Sequence, residues 1–288
     1  METGQPSRTA LATAYARAYH QVAPEPRVLT DPLAAATAGV RTEELSEAAV
    51  APPGESAADA ALQRLRRLCL AARSRFAEDT IADAVADGVR QAVSLGAGLD
   101  TFAYRNPHAG LRVFEVDHPA TQTWKRRRLA EAAIEVPDSL TFAPVDFETA
   151  TLAQGLAAAG FARDEPAVFL WLGVVMYLAP DTVRGTLRYI AEHAAPVRLV
   201  ADYIGPPSAA APEYRAALAA RAERVAALGE PWLSYFTAPE MTAELRAAGF
   251  THIDDRNSAD VLADFIGRAE LGPDPDLLNS RIVRASRT

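Results

Sequence analysis

This 288-residue chain has one cysteine, one lysine and no apolar run long enough to cross a bilayer. Cys69 alone rules out a disulfide framework, so a reducing, cytoplasmic compartment is expected. Its place on the apolar face of residues 62–70 reads as a packing thiol. A membrane span needs about 20 consecutive apolar residues, and residues 1–6 have neither the basic nor the apolar region of a signal peptide. The five histidines (20, 108, 118, 193 and 252) nowhere show ligand spacing, so no metal is expected. Basic residues are outnumbered by acidic ones, 29 against 37, for a net charge of −8. That balance argues against nucleic acid or an anionic membrane as partner. The one basic run, Lys125-Arg126-Arg127-Arg128, reads as a solvated helix face. What remains is a cytoplasmic monomer or homodimer with a small-molecule ligand.

Two organisations follow each other along the chain. Residues 1–88 read as a helical extension: a helix over 7–20 capped by Ser7, a Thr30-Asp31-Pro32 turn before a short helix, and a loose loop over 41–57 around Pro52-Pro53-Gly54. A long amphipathic stretch over 58–87 then reads as two helices broken near Phe76. From 89 to 288 strands alternate with helices. Strands are expected at 91–96, 111–116, 140–145, 167–173, 197–203, 250–256 and about 279–285. Helices are expected at 101–106, 119–133, 148–159, 181–194, 238–248 and 258–267. This spacing predicts an α/β fold, a doubly wound, mostly parallel seven-stranded sheet. Residues 206–236 break the rhythm and read as a helical insertion.

The densest signal is Val93-Ser94-Leu95-Gly96-Ala97-Gly98-Leu99-Asp100, a strand running into a glycine turn. Nineteen residues after Gly98, a second apolar strand ends on Asp117. A strand, a glycine turn and an acid at the next strand's tip describe a nucleotide site, the acid accepting the ribose hydroxyls. A dinucleotide fingerprint requires a third glycine shortly afterwards, and here Leu99, Asp100 and Thr101 follow. A turn that offers an acid where a pyrophosphate would sit suits a cationic, phosphate-free ligand such as S-adenosylmethionine.

These segments resemble the leucine carboxyl methyltransferase-like family of class I S-adenosylmethionine-dependent methyltransferases, and within it the bacterial small-molecule and polyketide O-methyltransferase branch. The matching stretches are Ser7-Arg8-Thr9-Ala10, Ala16-Arg17-Ala18, Asp31-Pro32-Leu33-Ala34, Ala72-Arg73-Ser74-Arg75-Phe76 and 91–104. Further on come Phe114-Glu115-Val116-Asp117-His118-Pro119, Val145-Asp146-Phe147, Trp171-Leu172-Gly173, Met176-Tyr177-Leu178 and Gly229-Glu230-Pro231-Trp232. The resemblance implies a Rossmann-like fold and S-adenosylmethionine as cofactor, with S-adenosylhomocysteine as product.

The resemblance also assigns residues. Arg73 takes the methionine carboxylate, a task that suits a guanidinium fork; Arg75 is a rival for that role, and its spacing favours pairing with Glu78 or Asp79 instead. Gly96, Ala97 and Gly98 shape the turn. Asp100 holds the amino group or caps the next helix. Asp117, with His118 beside it, takes the ribose, and Asp146 with Phe147 takes the adenine. Leu172 and Gly173 line the site through backbone. Many relatives have a glutamate where this chain has Leu172, so one carboxylate contact is missing. The expected activity is O-methylation of a carboxylate or hydroxyl on a small molecule, in secondary metabolism. The alternative is a non-methylating isomerase, cyclase or regulator on the same fold. Tyr177, Tyr203 and His20 are the candidate catalytic side chains, with Asp202 and Tyr19 also in reach. Residues 7–40 and 206–236 are expected to cover the cofactor and form the acceptor pocket.

Overall fold

The computed structural model describes residues 7–48, 57–147, 149–272 and 275–288. Pro52-Pro53-Gly54 and Glu148 lie outside them. Helix α1 (Arg8–His20) begins where the Ser7 hydroxyl accepts the Ala10 N–H at 3.1 Å, an N-cap that satisfies an otherwise orphaned donor. Two short helices follow, α2 (Ala34–Ala38) and α3 (Thr42–Ala48). The second of these replaces part of the loop expected over 41–57.

Helix α4 (Ala57–Ala86) is one uninterrupted 30-residue helix, not two. It contains no glycine or proline, so nothing breaks it near Phe76. The apparent change of pattern there has a packing cause. Leu65, Leu68 and Ala72 bury with Val28, Leu29 and Leu262, whereas Ala77, Ile81 and Ala84 bury against the strands. One helix serves two cores.

The sheet is built from β1 (Gln91–Leu95), β2 (Arg112–Asp117), β3 (Leu140–Pro144), β4 (Ala167–Trp171), β5 (Val197–Ile204), β6 (His252–Asn257) and β7 (Ser280–Arg287). Their order is β3-β2-β1-β4-β5-β7-β6, with β7 antiparallel to both neighbours and the first five strands parallel. All five residues of β4 are buried, as a central parallel strand requires. Ala167, Phe169 and Trp171 face one core and Val168 and Leu170 the other.

The connecting helices are α5 (Pro119–Glu131), α6 (Leu152–Ala158), α7 (Pro180–Ala191), α8 (Pro212–Ala227), α9 (Ala238–Ala248) and α10 (Ser258–Ile266). Leucines and valines of α6, α7 and α9 fill one core, while α4 and α10 supply the other. The 101–106 helix is only a 3₁₀ turn, Phe102–Tyr104. Chain order reverses between β1 and β4, the place where ligands bind at the carboxyl ends of such sheets.

Lys125 departs from its expected solvated face. It is 1% exposed and meets both Glu115 oxygens at 2.8 Å, while Arg126 and Arg127 stay in solvent. Burial pushes the Glu115 carboxyl up to about 7 against the pull of Lys125. Removing one member of such a pair leaves a buried, unpaired charge. Lys125→Met should therefore cost about 3–5 kcal/mol, and Glu115→Leu combined with Lys125→Met should recover most of it. Urea melts of the three variants check this; equal midpoints for wild type and Lys125→Met would exclude a stabilising role.

Candidate active site

The carboxyl ends of β1, β4 and β5 open into a cavity of about 1290 Å³, closed on its other sides by α1, α4, α8 and residues 228–233. A pocket for one small ligand is roughly 300–1,000 Å³, so this one has room for two. Residues of both 7–40 and 206–236 line it.

Its floor is the glycine turn. Gly96 has φ +65°, and a Cβ there would lie 2.5 Å from Val174 Cγ2, so no larger residue fits. The Gly96 and Ala97 N–H groups donate to the Val116 carbonyl, which draws the turn against the end of β2. Asp117 is fixed by two amides: Gly98 N–H donates to Oδ2 at 2.6 Å and His118 N–H to Oδ1 at 2.7 Å. Each oxygen keeps further lone pairs for a ligand's hydroxyls. Asp100 lines the cavity and also caps the next turn, accepting Phe102 N–H at 2.8 Å. Burial works to raise its pKa, but Arg17, Lys125 and the Phe102 N–H together hold it below the ordinary value.

Arg73 reaches the cavity from α4, 13% exposed, with Nη1 2.8 Å from Asp202 Oδ2. Its Nε is buried without a partner. Asp202 Oδ1 accepts the Gly173 N–H at 2.5 Å, and Gly173, at φ +72°, lies over the guanidinium. Asp202 on β5 thus supplies a carboxylate beside the position where Leu172 has none. Leu172 and Tyr177 both line the cavity. Arg75 pairs with Asp79 at 2.7 Å, away from this site.

Two catalytic candidates are withdrawn from the cavity. His20 is 1% exposed, and its Nε2 accepts the Val28 and Leu29 N–H groups at 3.2 and 3.3 Å. Burial, Arg67 and Arg27 lower its pKa to about 4. Its ring fastens the following segment to α1, and its Nδ1 lies 2.9 Å from Nη1 of Arg67, so Arg67, not His20, lines the cavity. Tyr203 is also 1% exposed; its hydroxyl donates to Asp255 at 2.5 Å and its ring packs edge-on to Phe236. Strand alternation explains this, since Asp202 faces the cavity and its neighbour must face the opposite layer.

Three cofactor candidates sit outside the cavity lining. His118 Nδ1 accepts Ala120 N–H at 3.1 Å, capping α5, so only its backbone serves Asp117. Asp146 and Phe147 follow β3 beside Asp117, joined through a Val145 N–H to Asp117 carbonyl bond of 2.9 Å, and the Phe147 ring is 62% exposed. Cys69 borders the cavity, but burial pushes its thiol up to about 12, which suits packing and not nucleophilic attack.

The sequence left two groups without roles. Arg17 donates to the Leu99 carbonyl and sits 3.0 Å from the fully buried Asp31, which also accepts Thr101 Oγ1–H at 2.6 Å. Glu230 accepts Ser7 Oγ–H at 2.8 Å, Arg8 N–H at 2.7 Å and both Thr9 donors, tying the insertion to the start of α1. Both groups fall in the quoted motifs, so their positions, though not their partners, were visible.

Comparison with known proteins decides the family. The model for "Leucine carboxyl methyltransferase" matches residues 10–191. The chain is 30% identical over 267 residues to a Bacillus subtilis protein named "Putative S-adenosyl-L-methionine-dependent methyltransferase YktD", covering 86% of this chain and 88% of that one. The chain belongs to the leucine carboxyl methyltransferase family. A similarly named protein of Parafrankia sp. is 36% identical over 190 residues, 66% of this chain and 60% of its own. Solved structures of a duf574 family protein from Streptomyces avermitilis (17% identity, TM-score 0.58, 99% of both chains) and of a protein from Thermobifida fusca (18%, 0.58, 100% and 97%) share the fold. As a member of this family the chain is an S-adenosylmethionine-dependent methyltransferase. The glycine cradle, the amide-fixed Asp117 and the partly unpartnered Arg73 fit that cofactor.

The lowered pKa of His20 has a stability consequence. Between about pH 4 and 6.5 the unfolded chain binds a proton that the folded one refuses, so stability is full above pH 6.5 and falls as the pH drops toward 4. The loss should approach ~3 kcal/mol. In His20→Gln the chemical-melt midpoint should change less over this window; an unchanged slope would show that other groups dominate. Glu230→Ala should uncover the first N–H groups of α1 and cost about 0.5–2 kcal/mol, with faster amide exchange at Arg8 and Thr9 as the direct reading.

Proposed function

We propose that this methyltransferase is an O-methyltransferase that places a methyl group on a carboxylate or hydroxyl of a small molecule, in secondary metabolism. The observation that carries the reading is a cavity of about 1290 Å³, larger than one small ligand needs, whose lining includes Tyr15, Tyr19, Tyr177, Leu228 and Trp232 as well as the glycine turn.

The cofactor, when bound, supplies a sulfonium-activated methyl group. On this reading Arg73 holds its carboxylate, Asp100 its amino group, Asp117 its ribose, and Asp146 with Phe147 its adenine edge. The leaving thioether needs no proton, so the protein's main work is alignment. A carboxylate acceptor is ionised at neutral pH and needs no base; a hydroxyl needs one. Tyr177 is the side chain proposed to orient the acceptor oxygen. Residues 7–20 and 228–233 cover the cavity and limit water.

Asp117→Ala should weaken S-adenosylmethionine binding at least tenfold, since hydrogen bonds to a charged group contribute about 1.5–3 kcal/mol each. Calorimetry with the correctly folded variant reads this directly, and unchanged affinity would take Asp117 out of the site. Release of S-adenosylhomocysteine on adding aryl or alkyl carboxylic acids and phenols tests transfer. Cofactor binding without release for any of them would favour the non-methylating alternative.

A further inference from the structure

Beyond Tyr177 the cavity wall turns strongly basic. Arg66 enters from α4, and Arg221 and Arg224 from α8, all three lining the same space. They are close enough for each to oppose its neighbours' charge. Among the described residues none has a carboxylate within ion-pair distance. Arg66 Nε is buried with no acceptor, and so is Nε1 of Trp232, whose ring Arg221 covers at 5.0 Å. Among the described residues, the acceptor for Arg221 is the Leu278 carbonyl, at 3.3 Å.

Of the cavity's carboxylates, Glu25 is exposed beside Arg67 and Asp100 faces Arg17, and the other three are engaged. Asp202 is bound to Arg73 and Gly173, Glu230 to the α1 start, and Asp117 to two amides. Burial and the neighbouring arginines bring Arg221 down to about 10, and burial with Arg224 lowers Arg66. Arg66 and Arg221 are half-buried and Arg224 is exposed; guanidinium groups clustered without counter-charge repel one another, and a bound oxyanion would offset that repulsion. Planar donors in this number match an oxyanion.

We propose that Arg66, Arg221 and Arg224 form an oxyanion-binding subsite, separate from Arg73, that seats a carboxylate or phosphate of an otherwise apolar acceptor. The apolar body would lie against Tyr19, Leu70, Met176 and Trp232, which line the adjoining wall. The proposal rests on the methyltransferase reading only in calling this ligand the acceptor.

Calorimetry on the full-length protein saturated with S-adenosylhomocysteine provides the test, with benzoate, phenyl phosphate and neutral benzamide as probes. At least one anion should bind tenfold or more tightly than benzamide, and which one does so distinguishes carboxylate from phosphate. Arg66→Gln and Arg221→Gln should each remove tenfold of that affinity while S-adenosylhomocysteine affinity stays within twofold, which also certifies the fold. Equal binding of benzamide, no binding of either anion, or anion binding that survives both substitutions would overturn the subsite. Failure to bind S-adenosylhomocysteine with anion binding intact would count against the proposed function and leave the subsite standing.

Discussion

The glycine turn keeps its shape because of one buried carboxylate. Asp31 has no exposed surface and is surrounded by Arg17 Nε at 3.0 Å, Arg105 Nε at 3.5 Å, Thr101 Oγ1 at 2.6 Å and the Leu33 N–H at 3.1 Å. Arg105 continues to Glu78 on α4 at 2.8 Å, and Arg17 to the Leu99 carbonyl. A lone buried charge costs several kcal/mol, so each of these partners is needed once Asp31 is inside. Four segments distant in sequence are thereby held together: α1, the stretch before α2, α4 and the turn that follows β1. The N-terminal helices are therefore part of what shapes the glycine turn, and shortening α1 past Arg17 would disturb that turn.

Much of the fold was legible because the sheet is locally encoded. Short strand-like runs separated by amphipathic helices place all seven strands within two residues of their expected starts and ends. The long helix was misjudged for the opposite reason. Its two halves pack against different layers, so the apolar stripe shifts at Phe76 while the backbone continues. Periodicity reports the surface a helix meets, and it changes when the partner changes. The site shows the same division. Gly96 and Asp117 follow from backbone geometry and strand position, both local. The side-chain direction of Tyr203 and the packing of His20 depend on what surrounds them after folding, and a one-residue alternation is enough to turn a candidate into core.

The absent carboxylate at Leu172 illustrates how a neighbouring strand can take over a task. β4 and β5 run parallel, with Trp171 opposite Ala201, so residues 172 and 202 emerge side by side at the same end of the sheet. Asp202 therefore projects into the space that an acid at 172 would have shared. It accepts the Gly173 N–H and pairs with Arg73, pre-setting a guanidinium whose Nε has no other partner. On the proposed assignment, a ligand carboxylate at Arg73 would meet a side chain already held in place by Asp202. That arrangement lowers the ordering cost of binding and keeps the arginine soluble in a largely apolar wall.

The single lysine follows from the same layer. Every other basic side chain here is arginine, including all those that line the cavity. The arginine fork suits planar, two-point recognition, whereas an ammonium is a compact charge that can meet two oxygens of one carboxylate end-on. Lys125 does that with Glu115 while its ammonium sits 5.2 Å from the Tyr104 ring centroid, in a gap between α5 and β2. Glu115 lies two residues before the tip that carries Asp117, and Lys125 also helps hold Asp100 below its ordinary pKa. The buried pair thus sits beneath the glycine turn: it ties β2, which ends on Asp117, to α5, and its ammonium, not the pair as a whole, favours the ionised form of Asp100.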